Sequence, residues 1–432
     1  MISFLRKSFK FIYQLEAKIA FYPTIISIAG IVFAFFMFYL ESHGISKMLS
    51  KHAPILVVND TDTARSLLTT FVAGLISIMV FSFSMVMILL NRASSNFSPR
   101  VLPGLISNRR HQIILGIYNA SLLYCIFTLV GIEPVRQEYQ LPGFSVLISI
   151  FFMTVCLGAF IYFIHSISQE IQVNNIMSRI FTTAKNRLVD LIDSQSESVI
   201  EFPDSENWNT LRSKKSGYLQ NISINAMAQI AKEHNLQFEI IPAKGTYVLS
   251  EMPILKYNND ISDTQKDDIL SNFLYSKGER VADNYVLAFK QLTEIAVKAM
   301  SPGINDPGTA LNAIDYITEL FLIRLKKKDC AYCLDDDEKP LILINTINFE
   351  DLLYNVMVAF RTYGKGDVII VQKLLLMFKL LLSSQNSVVE YYKELLRKET
   401  NNLYEDASRS LKNTSDLEHV TQQFEAIKKN LF

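Results

Sequence analysis

The chain carries no net charge: 42 lysines and arginines balance 42 aspartates and glutamates. No global field therefore argues for nucleic acid as a partner. Cysteine is scarce, with four in 432 residues. Two of them, Cys125 and Cys156, fall inside apolar runs, so no disulfide framework is expected. The six histidines show no ligand spacing. The lone C-x-x-C at Cys330 and Cys333 has no second pair to complete the four ligands that zinc needs, and two free thiols in a surface loop are expected. Nucleophile elbow, P-loop and dinucleotide fingerprint are all absent. No catalytic residue, metal or cofactor is assigned.

Charge is also missing from four long stretches, and there its absence is informative. Half of the residues are hydrophobic, and they concentrate before His165. Residues 20–40, 67–90, 113–132 and 144–165 contain no Asp, Glu, Lys or Arg. Each is close to the roughly 20 residues a helix needs to cross about 30 Å of hydrocarbon. The fold class expected is an α-helical integral membrane protein with four spans and a cytosolic α+β domain, mostly helical with a small β unit. Arg6, Lys7, Lys10 and Lys18 precede the first span, and Arg92, Arg100, Arg109 and Arg110 separate the second from the third. The excess of positive charge on cytoplasmic flanks then puts both termini inside, in a bacterial inner membrane.

The boundaries expected are a transmembrane domain over 1–165, a helical stalk over 166–196 continuing the fourth span, and a polar linker over 197–216. A β unit follows over 217–258, then a helical domain over 259–432. Within the β unit, 218–222, 236–241, 246–249 and 254–257 read as strands and 224–234 as a short helix. The "KGTYVLSEMPIL" run resembles the hairpins of lipoyl-type barrels. No carrier lysine sits at the tip, so a purely structural unit is expected. Helices are expected over 279–300, 307–328, 349–363, 367–384, 387–407 and 416–431.

Two stretches stand apart. The first is the second span, where Thr70, Ser77, Ser84 and Asn91 recur every seven residues. Seven steps of a helix return almost to the same face, so the four form one stripe, with Phe81 and Ile88 beside it. Ser82 lies off the stripe and is expected to bond back to its own helix. One explanation is a packing seam, in which small residues bring helices close. The other is a water-filled path among several copies, with hydroxyls hydrating ions and Phe81 and Ile88 closing it by dewetting. Arg92 and Arg100 at its inner end would form a basic mouth that concentrates anions, although the positive-inside rule explains them too. The second stretch is "SPGINDPG". Asp306 has N-cap chemistry and Pro307 suits the first helical turn. Asn305, Asp306 and Gly308 are candidates for a ligand or subunit contact, beside the plainer reading as a tight helix-hairpin turn.

The same two stretches, "FSFSMVMILLNRASSNFSPRVL" and "AMSPGINDPGTALNAID", resemble a bacterial family of predicted membrane proteins, domain of unknown function 2254. The resemblance implies the layout of spans first and a cytosolic domain after, and brings no activity. On the residues, the function expected is a homo-oligomeric channel for inorganic ions, with an anion preference. The second span would line it and the cytosolic domain would gate it. The alternative is a membrane-anchored signalling or scaffold protein whose helical domain binds a partner. A membrane enzyme would instead need a deep cytosolic pocket, with Asn305 and Asp306 as candidates for it. The partners expected are the lipid bilayer, other copies of the chain and inorganic ions, with no nucleic acid.

Overall fold

The computed structural model describes residues 20–52, 57–58, 60–96, 109–132, 142–170, 172–195, 202–276, 280–335, 337, 339–384 and 390–432. They form two compact units that divide between Gln172 and Val173.

In the first unit, uncharged apolar runs become helices because only intrasegment hydrogen bonds satisfy a backbone surrounded by hydrocarbon. Helices α1 (Phe21–Ser42), α3 (Thr61–Asn96), α4 (Arg109–Val130) and α5 (Gly143–Glu170) are long and apolar enough to cross a membrane. A short helix that sequence reading missed, α2 (Ile45–His52), joins the first two. It is reached through Gly44 at φ +83°. Helix α4 is central and packs on α1, α3 and α5. Its contact with α1 is close: a Cβ added at Gly30 would lie 2.7 Å from the Ala120 Cβ. Helix α3 has 36 residues, about 54 Å at 1.5 Å per residue, so it exceeds the hydrocarbon thickness.

The second unit opens with α6 (Val173–Asp193). The expected continuous stalk is interrupted, since α5 ends at Glu170 and α6 begins at Val173. Ile176, Ile180, Ala184 and Leu188 are buried on one face of α6. Burying that face makes α6 part of the packed unit, where it lies on α9 (Val286–Ala299) and α10 (Pro307–Arg324).

Eight strands follow, four more than expected among the described residues. They are β1 (Asn209–Arg212), β2 (Gly217–Ile222), β3 (Phe238–Ile240), β4 (Tyr247–Val248), β5 (Pro253–Tyr257), β6 (Phe273–Ser276), β7 (Cys330–Leu334) and β8 (Pro340–Asn345). One sheet has the order β1-β5-β3-β8-β7 and the other β4-β2-β6. Strand β3 pairs antiparallel with β5 and parallel with β8, Phe238 facing Ile342 and Ile240 facing Ile344. The expected linker thus contains β1, an edge strand whose single buried residue is Leu211. Helix α7 (Ile224–His234) and the strands bury a common core that includes Met227, Phe238, Leu255 and Ile342. The region expected to be wholly helical contributes β6, β7 and β8, with α8 (Asp263–Ser271) before β6. Cys330 and Cys333 lie on β7 and not in a loop. Burial raises the Cys333 thiol above its ordinary range, and the Lys232 charge opposes the shift.

Helices α11 (Phe349–Gly364), α12 (Val368–Leu382), α13 (Glu390–Ser410) and α14 (Thr414–Leu431) complete the unit. Their side chains explain their starts. The Asn348, Asp367 and Asn413 side chains each accept backbone N–H bonds at the caps of α11, α12 and α14.

Candidate functional site

Helix α3 has two faces, both repeating every seven residues. Leu68, Leu75, Ser82 and Leu89 are buried against the bundle. Thr70, Ser77, Ser84 and Asn91 come two residues later, about 200° round the helix at 100° per residue, and all four are exposed. The hydroxyl stripe therefore points away from the other helices of its own subunit and is no seam within the bundle. Each hydroxyl closes onto the carbonyl one turn back: Thr70 to Ser66 at 2.7 Å, Ser77 to Ala73 at 2.9 Å and Ser84 to Val80 at 2.9 Å. Ser82 was expected to do this and does not. It is fully buried beside the Tyr118 phenol. Phe81 and Ile88 are 42% and 49% exposed. The Phe81 ring meets Phe160 of α5 edge-on, 5.7 Å between centroids, which holds it at the margin of the outward face.

At the C-terminal end of the stripe, Asn91 is exposed and α3 continues through Arg92. Arg100 lies outside the described residues, so the expected basic mouth is described only in part. Arg109 opens α4 with its guanidinium over the Tyr22 ring, 4.7 Å from the centroid.

The opposite end of the unit holds a polar cluster that sequence reading missed. Glu41, 6% exposed, accepts Ser145 N at 2.9 Å, Ser145 Oγ at 3.0 Å and Ser46 Oγ at 2.6 Å. Ser46 Oγ in turn accepts Phe144 N at 2.9 Å. Glu41 and Ser46 together satisfy the first free N–H groups of α5, where a negative charge also opposes the helix dipole. Gly143 permits the close approach of Val57 and Val58 to the same helix start, because a Cβ there would sit 2.4 Å from Val57 Cγ1. The signal in the sequence is an acidic residue directly after an apolar run, facing serines that begin another.

The "SPGINDPG" turn is exposed and locally explained. Asp306 accepts Thr309 N at 3.1 Å and Thr309 Oγ1 at 2.6 Å, capping α10. Asn305 takes φ +50°, a left-handed conformation that Asn tolerates better than most residues. An added Cβ at Gly308 would make only ordinary contact, 3.5 Å from Asp306 Oδ1. None of these three residues lines the large cavity of the second unit, which lies between α9 and α11.

With four membrane helices and this turn in place, the comparison with known proteins is direct. Residues 16–379 match the family described as predicted membrane protein, DUF2254. The chain belongs to that family. Uncharacterised proteins of Mycobacterium bovis and Mycobacterium tuberculosis are 24% identical over 334 residues, covering 72% of this chain and 62% of their own length. The chain thus spans about three fifths of the curated relatives it matches. No solved structure matches it.

Proposed function

We propose that this DUF2254 protein is a homo-oligomeric channel for inorganic ions in the bacterial inner membrane. Copies of α3 surround the path, and Phe81 and Ile88 narrow it. Both termini and the second unit are cytoplasmic, where the second unit gates the path and Arg92 and Arg100 bias it toward anions. What supports the reading is the outward turn of Thr70, Ser77, Ser84 and Asn91. A monomer would leave this row to lipid, whereas a ring of copies would give it water. Hydroxyls bonded to their own carbonyls keep lone pairs free for passing ions, and apolar side chains at the same depth can gate by dewetting.

The test is ion flux from liposomes carrying the purified full chain, potassium and chloride measured separately, beside a Phe81→Ala variant. Selective flux that Phe81→Ala increases is the expected result. No flux from either preparation, both folded, contradicts it.

One observation favours a second reading, a membrane-anchored scaffold. Because every stripe hydroxyl is already satisfied within its own helix, the row is equally suited to a dry seam between copies. On that reading Phe81→Ala changes assembly and leaves flux at the level of empty liposomes.

A further inference from the structure

The second unit contains a cavity of about 470 Å³ between β2, the loop ahead of β4, α9 and α11. That volume is in the range of small-molecule sites, roughly 300–1,000 Å³. Much of the wall is apolar, including Val286, Phe289, Leu352 and Val356. Polar groups enter at Thr293 and Glu294 on α9, Asn284 just before it and Asn355 on α11.

Thr293 is the informative one. It is 6% exposed, and its Oγ1 has no hydrogen-bond partner among the described residues. A helical threonine ordinarily returns its hydroxyl to the carbonyl one turn back. Thr318, Thr362 and Thr400 do so at 2.6–2.7 Å. Thr293 does not, and a buried hydroxyl at a cavity wall without a protein partner calls for one from elsewhere.

Cations stand at and beside the cavity wall. Gly245 and Thr246 line it, and the preceding residue, Lys244, donates to Asn221 Oδ1 at 2.8 Å. Burial and then the Arg187 charge hold the Lys244 ammonium below the ordinary lysine range, with Asp283 opposing. Asp283 is itself engaged by Arg280 at 2.9 Å. Lys290 adds a further cation at the lining.

We propose that this cavity binds a nucleotide. Its base lies between α9 and α11, where Thr293, Glu294 and Asn355 meet its hydrogen-bonding edge. Its phosphate faces Lys290 at the lining and Lys244 next to Gly245. Free phosphate would make no use of the apolar wall, and a fatty acid would leave the polar edge unpaired.

The experiment is isothermal titration of the full chain in detergent with adenosine and guanosine 5′-monophosphates, with adenosine and inorganic phosphate as controls. Either monophosphate binds, and its nucleoside and free phosphate each bind at least about tenfold more weakly. Loss of one hydrogen bond in Thr293→Val weakens the nucleotide by about tenfold, equivalent to 1.4 kcal/mol. Lys244→Gln shrinks the preference for nucleotide over nucleoside. Asn355 is exposed, so Asn355→Ala gives a variant that folds should Thr293→Val fail to, with weakened binding again expected. Absence of binding at millimolar nucleotide overturns the proposal. So does free phosphate binding as well as the nucleotide, or unchanged affinity in the variants. The readout is binding alone, so the result is separate from whether ions cross the membrane.

Discussion

The two units satisfy their polar side chains over different distances. In the membrane unit the exposed hydroxyls of α3 turn back four residues, to Ser66, Ala73 and Val80. The row turns away from its own bundle and finds no partner there, so each hydroxyl is satisfied within its own helix. In the second unit the buried groups reach far along the chain. Arg324, fully buried, donates to the Tyr285 hydroxyl at 3.0 Å, to Lys327 O at 2.8 Å, to Ile347 O at 3.3 Å and to Asp329. Glu239 on β3 gathers Ser205, Lys256 on β5 and Asn345 on β8. Local satisfaction leaves a face free to meet something else, whereas distant satisfaction locks elements together. Buried groups of the membrane unit also reach across helices, as Tyr124 does to Ser145 O at 3.1 Å and as Glu41 does at the end of a span, where it ties α1 to α5.

That contrast can be strained in four places. The largest effect is expected from Arg324→Met, which removes the ion pair to Asp329, the donors to Lys327 O and Ile347 O and the bond to the Tyr285 hydroxyl at once. Loss of one buried partner costs about 3–5 kcal/mol, read as a lowered midpoint in denaturant. A loss under about 1 kcal/mol, within the range of ordinary surface substitutions, would mean that the network is ornamental. Glu41→Ala comes next, freeing the first N–H groups of α5 at about 1–3 kcal/mol. A lower melting temperature in detergent is expected, with partial recovery in Glu41→Gln.

Glu239 gives a pH signature. Burial alone would raise its carboxyl, but bonds from Ser205, Lys256 and Asn345 bring it below the ordinary range. A carboxyl depressed in the folded state stabilises fully above its unfolded value and loses that contribution as pH falls through the folded one. Wild type should therefore lose stability on acidification more steeply than Glu239→Gln, as followed by unfolding at stepped pH. Parallel acid limbs would refute the assignment. The smallest effect belongs to Ser77→Ala. Its bond is local and its side chain exposed, so stability should stay within about 0.5 kcal/mol. A larger loss would place Ser77 in a seam.

The same difference in reach explains what could be read from the chain. The four spans and the helices from Pro307 onward follow from apolar period and local caps such as Asp306, which are signals within a few residues. The stripe on α3 was legible by its spacing of seven, but its direction was not. Leu68, Leu75, Ser82 and Leu89 repeat at the same period, and only packing against Tyr118 and its neighbours decides which row turns inward. Strand β8 was missed because its pairing with β3, Ile342 with Phe238, joins positions about a hundred residues apart, and β7 is an edge strand that pairs with β8 alone. Strand β1 was missed because Leu211 alone marks its inner face. The Glu41 cap and the cavity at Thr293 likewise form only when distant segments meet.

The central claim is that the hydroxyl row of α3 faces water. The most direct test places single cysteines at Ser77, Ser84 and the exposed neighbours Ile76 and Phe83, in a background without Cys330 and Cys333, and probes proteoliposomes with a membrane-impermeant thiol reagent. The native Cys125 and Cys156 are buried. Positions 77 and 84 are expected to be modified, with ion flux falling as they react, while 76 and 83 stay unmodified. Protection of all four positions, or equal labelling of them, would contradict it.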